Sequence, residues 1–108
     1  MSNNFYATYA VHAHPDVKLT FHIGQTAAGR FTMSTVMFPS VKSMFEFIEH
    51  NADKIEIRDE SESVLSIADV RALVYSFPRY ETIPQELVRY RGFTLDPEGF
   101  LALEGTFL

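Results

Sequence analysis

The stretch that decides the fold is FYATYAVHAHPDVKLTFHIGQTAAGRFTMSTVMF, residues 5–38. Successive side chains of a β-strand point to opposite faces of its sheet, so a buried face leaves apolar residues at every second position. This alternation predicts that the chain opens with a three-stranded antiparallel meander. The apolar residues that define it all fall on odd positions: Phe5, Ala7, Tyr9, Val11, Ala13, Val17, Leu19, Phe21, Ile23, Phe31, Met33 and Met37.

The first turn of the meander is predicted at residues 14–16, where a proline presets φ and an aspartate can bond its own backbone. Residues directly opposite each other in an antiparallel pair share a face of the sheet, so odd positions must oppose odd positions. The tightest register that satisfies this rule pairs His14 with Lys18 and Val11 with Phe21. A second turn is predicted in the small, glycine-bounded segment 24–29.

Beyond the meander the apolar spacing becomes helical. Ser40 is a predicted N-cap, and a stripe with spacing i, i+3, i+4, i+7 predicts a helix that reaches about Asn51. A second helix is predicted after Ser66, and a short third helix after Thr82. Each has a capping-box pattern, Ser66 with Asp69 and Thr82 with Gln85. The stripes are Val41, Met44, Phe45 and Ile48 in the first helix, and Ile67, Val70, Leu73, Val74 and Phe77 in the second.

Two further strand signals complete the pattern. Residues 54–58 alternate again and predict a fourth strand, and residues 96–99, Asp-Pro-Glu-Gly, have the favoured chemistry of a type I turn inside a C-terminal hairpin. The predicted order is β-β-β-α-β-α-α-β-β. This order indicates an α+β domain, residues 1–108, with two to three helices packed on one face of an antiparallel sheet.

Composition limits the function classes. At 108 residues and 46% hydrophobic residues the chain fits one well-packed domain, and the lack of cysteine excludes disulfides and thiolate chemistry. No basic, apolar leader or membrane-length apolar run is evident, so a cytoplasmic location is expected. The net charge of −5 disfavours nucleic acid as a partner. The charge is uneven, with an acidic middle before a mildly basic segment that ends at Arg91.

Histidines form one candidate site. In the predicted register His12 opposes Thr20, which brings His14 and His22 onto the same face of the first hairpin. Three imidazoles could hold Zn²⁺ or Ni²⁺, with Asp16 as an oxygen ligand, and the chain would then be a small metal-binding protein or a histidine-dependent enzyme. No metal-binding framework such as HExxH accompanies these residues, and no cofactor is otherwise expected.

Arginine and tyrosine residues form a second candidate, a partner-binding surface. These two residue types dominate the energetic centres of protein interfaces, and they also contact phosphates and bases. Since the chain is acidic overall, a protein partner is favoured over nucleic acid. The residues assigned to this surface are Arg79, Tyr80, Arg89, Tyr90 and Arg91.

Apolar residues on even positions form a third candidate. Tyr6, Val36 and Phe38 are predicted on the polar face of the meander, where a monomer has little reason to place them. Such a patch is typical of an interface, and a homodimer would give the chain additional core. The alternative is that the C-terminal hairpin covers these residues.

The sequence therefore favours a non-enzymatic interaction module with a protein partner. Small size, lack of cysteine and an aromatic core are also typical of accessory and inhibitor proteins of phages and mobile elements, although no motif supports that likeness. Two alternatives stay open. One is the histidine site, and the other is a small-ligand-binding domain with a pocket between sheet and helices.

Overall fold

The alternating stretch forms the first three strands of a seven-stranded sheet in the computed structural model, which describes residues 2–10, 16–90 and 92–104. The strands are β1 (Asn3–Ala10), β2 (Lys18–Ala27) and β3 (Arg30–Ser34). A single 3₁₀ turn (Ala52–Lys54) leads from the first helix to the fourth strand. The remaining elements are α1 (Val41–His50), β4 (Ile55–Asp59), β5 (Val64–Leu65), α2 (Ile67–Ser76), α3 (Gln85–Val88), β6 (Phe93–Leu95) and β7 (Leu101–Leu103).

The strands are ordered β5-β4-β1-β2-β3-β7-β6 across the sheet. The α+β class is confirmed, but the prediction of an antiparallel sheet is wrong because β7 runs parallel to β3. A parallel neighbour needs a long crossover, and the chain between β3 and β7 supplies one that includes all three helices. The short strand β5 was also not predicted; it pairs with β4 across the turn at residues 60–63.

The predicted register of the first hairpin is wrong by four residues. Ala7, and not Val11, lies opposite Phe21, and Ala10 lies opposite Lys18. Odd positions still oppose odd positions in this part of the hairpin. Parity excludes a slip of one residue but permits a slip of two or four, so the alternation fitted both registers.

A β-bulge then changes which positions of β2 face the core. Tyr6 pairs with His22, but its neighbour Phe5 pairs with Gly24, which leaves one extra residue in β2. Gly24 lies opposite Met33 of β3. A Cβ atom on Gly24 would stand 2.6 Å from the ring of Phe31, so only glycine fits under that ring.

Helices α1 and α2 begin at their predicted caps, and the α1 stripe is buried as predicted. The α2 stripe is confirmed only in part, because Val70 and Val74 are buried but Leu73 is 39% exposed and Phe77 is the C-cap residue. The Ser40 and Ser66 hydroxyls accept hydrogen bonds from the backbone N–H of Ser43 and Asp69, each at 3.0 Å. The short helix α3 differs, because Pro84 occupies its N-cap position and no side chain caps it. The apolar faces of α1 and α2 join one core with the sheet: Phe5, Ala7, Phe21, Ile23, Phe31, Met33, Val41, Met44, Phe45, Ile48, Ile55, Ile57, Val70, Val74, Phe100 and Ala102.

Asp96 ties the C-terminal hairpin to α1. Its buried carboxylate accepts hydrogen bonds from the backbone N–H groups of Glu98 at 2.9 Å and Phe100 at 3.0 Å, and from that of Val41 at 2.9 Å. The predicted turn is confirmed by the bond from the Gly99 N–H to the Asp96 carbonyl at 3.0 Å. One carboxylate thus fixes both the turn and its position against the first turn of α1.

Among the described residues, Leu101 of β7 is buried on the second face of the sheet. Leu101 is fully buried, yet it alternates with Ala102, which faces the core, so it lies on the other side of β7. Arg30 likewise lies on the side opposite Phe31 and forms an ion pair with Glu86 of α3. This contact positions α3 beside the second face. None of the helices in the described ranges is long and apolar enough to cross a membrane.

Candidate partner-binding surface

The arginines of the chain differ in what neutralises them. Among the described residues, Arg79 and Arg89 form no ion pair with a carboxylate. Unpaired guanidinium groups are the ones that remain available for an external acceptor. The other three described arginines each bind a glutamate: Arg30 with Glu86, Arg58 with Glu56 at 2.7 Å and Arg71 with Glu49 at 2.5 Å.

Arg79 packs over the aromatic core. Its Cζ atom lies 5.6 Å from the ring centroid of Tyr75 and 5.6 Å from that of the fully buried Phe100. The Tyr75 hydroxyl donates to Glu98 Oε1 at 2.9 Å. Burial, together with this bond and the charge of Glu98, raises the pKa of Tyr75 to about 12. Arg79 is therefore held by the contacts that join α2 to the C-terminal hairpin.

Arg89, which is exposed like Arg79, lies at the end of α3 over an exposed ring. Its Cζ atom lies 5.1 Å from the ring centroid of Tyr90, and Nη2 donates to the Tyr90 hydroxyl at 3.2 Å. Tyr90 is 52% exposed. A guanidinium has five N–H donors, and within the described ranges this one bond is the only one that Arg89 makes.

A cleft of about 480 Å³ lies beside Arg89. Val88, on its wall, is 66% exposed. Of the described residues that line the cleft, Arg89 alone is charged. The lining consists of Thr82, Ile83, Pro84, Gln85, Val88 and Arg89.

The five residues predicted to bind a partner thus separate into two groups. Arg79 and Tyr80 lie against the C-terminal hairpin, where the Tyr80 N–H donates to the Gly99 carbonyl at 2.8 Å. Arg89 and Tyr90 lie together on the exposed end of α3. Arg91 is outside the described residues. Sequence reasoning missed Val88 and the other apolar residues of the cleft, because their spacing resembles an ordinary buried stripe.

Of the predicted interface residues, Tyr6 is on the second face of β1 and is 37% exposed. Its ring stacks on that of His22, with 4.9 Å between centroids. The His22 Nε2 atom lies 2.8 Å from Asn4 Oδ1, and burial lowers the pKa of His22. Tyr6 is thus partly exposed, and its ring packs against His22 of the neighbouring strand β2.

Val36 and Phe38 are not on the polar face of the third strand, because β3 ends at Ser34. Val36 is 72% exposed in the turn that follows. Phe38 is partly buried against the core, with its ring centroid 5.4 Å from that of Phe21 and 5.3 Å from that of Phe47. The placement predicted for Phe38 is therefore wrong, whereas Val36 is exposed as expected.

The hairpin register on which the three-histidine site was predicted is wrong. Thr8, and not His12, lies opposite Thr20, with 3.1 Å between the two hydroxyl oxygens. His12 and His14 are outside the described residues. In the ranges that the structure covers, no three His, Asp or Glu side chains are grouped as metal ligands.

A second cleft, of about 310 Å³, opens where β1, β2 and β4 approach the 3₁₀ turn. No residue of α1, α2 or α3 is among its described lining residues, whereas the alternative prediction of a ligand pocket places that pocket between sheet and helices. Two lysines and two carboxylates share its lining, so neither sign of charge dominates. Its residues are Thr8, Ala10, Lys18, Asp53, Lys54, Ile55 and Glu56.

Comparisons of the chain with protein-family models, curated proteins and solved structures give no match. Function therefore has to be argued from the geometry of these surfaces.

Proposed function

We propose that the protein is a non-enzymatic interaction module that binds a protein partner through the exposed end of α3. The observation that carries the proposal is the arrangement of Val88, Arg89 and Tyr90, three exposed side chains beside a cleft. Tyrosine and arginine are the residues most enriched at the energetic centres of protein interfaces. We call Val88, Arg89, Tyr90 and the cleft residues 82–85 the α3 surface.

Two contacts attach the α3 surface and the chain before it to the rest of the fold. The Tyr80 backbone bond to Gly99 fixes the start of the connection that leads to α3. At the other side, the Glu86–Arg30 ion pair holds α3 to β3. These contacts restrict the segment before α3 and the start of the helix, which reduces the conformational freedom lost when a partner binds and favours affinity.

As an accessory or inhibitor protein, the module would act by covering a functional surface of its partner. This mode needs no catalytic residue in the chain itself, and we assign none. The small size and the single cysteine-free domain suit such a role.

We further propose that the protein forms a homodimer through the exposed side chains of Tyr6 and Val36. Their exposed fractions, 37% and 72%, support this proposal. Native mass spectrometry of untagged protein tests it. We expect a dimer that Val36→Asp converts to monomer, and a wild-type monomer at micromolar concentration would contradict it.

The partner-binding proposal is tested by site-specific photo-crosslinking in the cells that produce the protein. p-Benzoylphenylalanine replaces Tyr90 in one variant and Val64 in a matched control, since Val64 is 59% exposed on the distant strand β5. We expect a crosslinked protein at position 90 that is absent at position 64 and that is strongly reduced when Arg89→Ala is added. Absence of an Arg89-dependent product at position 90 would contradict the proposal.

A further inference from the structure

We propose that the cleft of the α3 surface binds a short acidic peptide segment of the partner. An aliphatic side chain of the segment would pack against Ile83, Pro84 and Val88, and an Asp or Glu carboxylate would bind the guanidinium of Arg89. This inference rests on the proposed function and specifies the chemistry of the partner at the same surface.

Charge complementarity is the first argument. Arg89 carries the single charge among the described lining residues, so the cleft has a positive end. Glu86 precedes Arg89 by three positions, a spacing at which oppositely charged side chains of a helix often pair. Here Glu86 instead binds Arg30, and no described carboxylate neutralises Arg89. The carboxylate of a partner would fill this role.

The geometry of Arg89 is the second argument. Its stacking on Tyr90, at 5.1 Å, and its single bond to the Tyr90 hydroxyl restrict the guanidinium before any partner binds. A planar guanidinium with free donors matches a carboxylate through two parallel hydrogen bonds. A side chain that is already restricted loses less entropy when it binds, so the pair gains affinity.

The apolar lining is the third argument. Val88 is 66% exposed, and Ile83 and Pro84 are half-buried, which leaves an apolar wall next to the charged end. The cleft beside this wall, of about 480 Å³, is open to solvent, as a site for a surface-bound segment must be. A wall of this kind beside one cation selects a segment in which an aliphatic residue and a carboxylate lie close together in sequence.

The test is a titration of ¹⁵N-labelled full-length protein, followed by amide chemical shifts. The probes are N-acetylated, C-amidated hexapeptides of serine and glycine that contain one Leu and, one to three residues later, one Asp. We expect at least one spacing to shift the amides of Ile83, Gln85, Val88 and Arg89. The matched peptide with Asn in place of Asp should bind roughly tenfold to a hundredfold more weakly, as is usual when a charge-assisted hydrogen bond is lost.

Variants connect the result to Arg89. Arg89→Gln should abolish the shifts, whereas Arg58→Gln, on β4 at a distance from the cleft, should leave them unchanged. The proposal is overturned if no peptide shifts the cleft amides, if the Asn peptides bind as well as the Asp peptides, or if only a phosphoserine version binds. A negative titration with an Arg89-dependent crosslink at position 90 overturns the acidic-peptide proposal alone. A negative titration without that crosslink overturns the proposed function as well.

Discussion

Two arginine–tyrosine contacts of the same kind have different surroundings in this fold. Arg79 lies over Tyr75 at 5.6 Å, and Arg89 lies over Tyr90 at 5.1 Å. Tyr75 contacts the core and bonds Glu98, whereas Tyr90 is 52% exposed and bonds only Arg89 among the described residues. We infer from the comparison that an arginine over a buried ring, as Arg79 lies over Phe100, has a structural role, whereas one over an exposed ring is available to a partner.

The largest effect on stability is expected at Asp96, which joins the C-terminal hairpin to α1. Asp96→Ala removes a buried acceptor from three backbone N–H groups, so we expect the free energy of unfolding to fall by about 3 kcal/mol. Urea denaturation measures this. A loss below about 1 kcal/mol would show that the carboxylate does not join the hairpin to α1, and would remove the support on which Tyr75 and Arg79 rest.

Replacing the two tyrosines compares the sites directly. Tyr75→Ala removes a ring that packs against Phe45 and Phe100, with centroids 6.4 and 5.2 Å away. We expect a loss of about 2 kcal/mol in stability, because partly buried aromatic packing and one hydrogen bond are lost. Tyr90→Ala should change stability by less than about 0.5 kcal/mol, as is usual for exposed positions. Equal losses in the two denaturation curves would refute the distinction.

Replacing the two arginines should give opposite outcomes. We expect Arg79→Ala to lower the free energy of unfolding by about 1 kcal/mol, the scale of a cation–π contact with buried rings, and to leave the contacts of the α3 surface in place. Arg89→Ala should leave the unfolding curve unchanged and weaken partner binding. Thermal denaturation together with the crosslinking yield at position 90 separates the two. A variant Arg79→Ala that is fully stable but does not bind would reverse the assignment.

The pH dependence of stability tests the structural role of Tyr75. The pKa of Tyr75 is raised in the folded protein to about 12, above the ordinary value of 10.0, so its neutral form is favoured by folding. This contribution is complete below pH 10 and is lost as the pH rises toward 12, because the unfolded chain releases the proton first. Between these values wild-type stability should fall more steeply than that of Tyr75→Phe, measured by urea denaturation. Parallel curves would contradict the raised pKa.

Local signals in the sequence predicted local structure well. The Ser40 and Ser66 caps, the apolar stripe of α1 and the turn at Asp96 depend on residues within a few positions of each other. Such nearby residues do not decide the strand order, the parallel β3–β7 pair or the register of β1 with β2. These features are decided by contacts between distant parts of the chain, and parity leaves slips of two or four residues open.

At the candidate site, too, the features that depend on contacts between distant parts of the chain were not predicted. Composition predicted a partner surface of arginine and tyrosine, but nothing near Arg79 or Arg89 in sequence indicates which one lies over a buried ring. Phe38 was misplaced because the end of β3 at Ser34 depends on how the chain turns toward α1. Val88 was missed because its spacing resembles an ordinary buried stripe, although it is 66% exposed.

The measurement that tests the central claim most directly is the yield of the partner crosslink at position 90, compared between Arg89→Gln and the otherwise identical protein with Arg89 retained. We predict a fall of roughly tenfold or more, with unchanged unfolding curves, because the guanidinium provides the charged contact to the partner. The same partner captured at the same yield by both proteins would contradict the account.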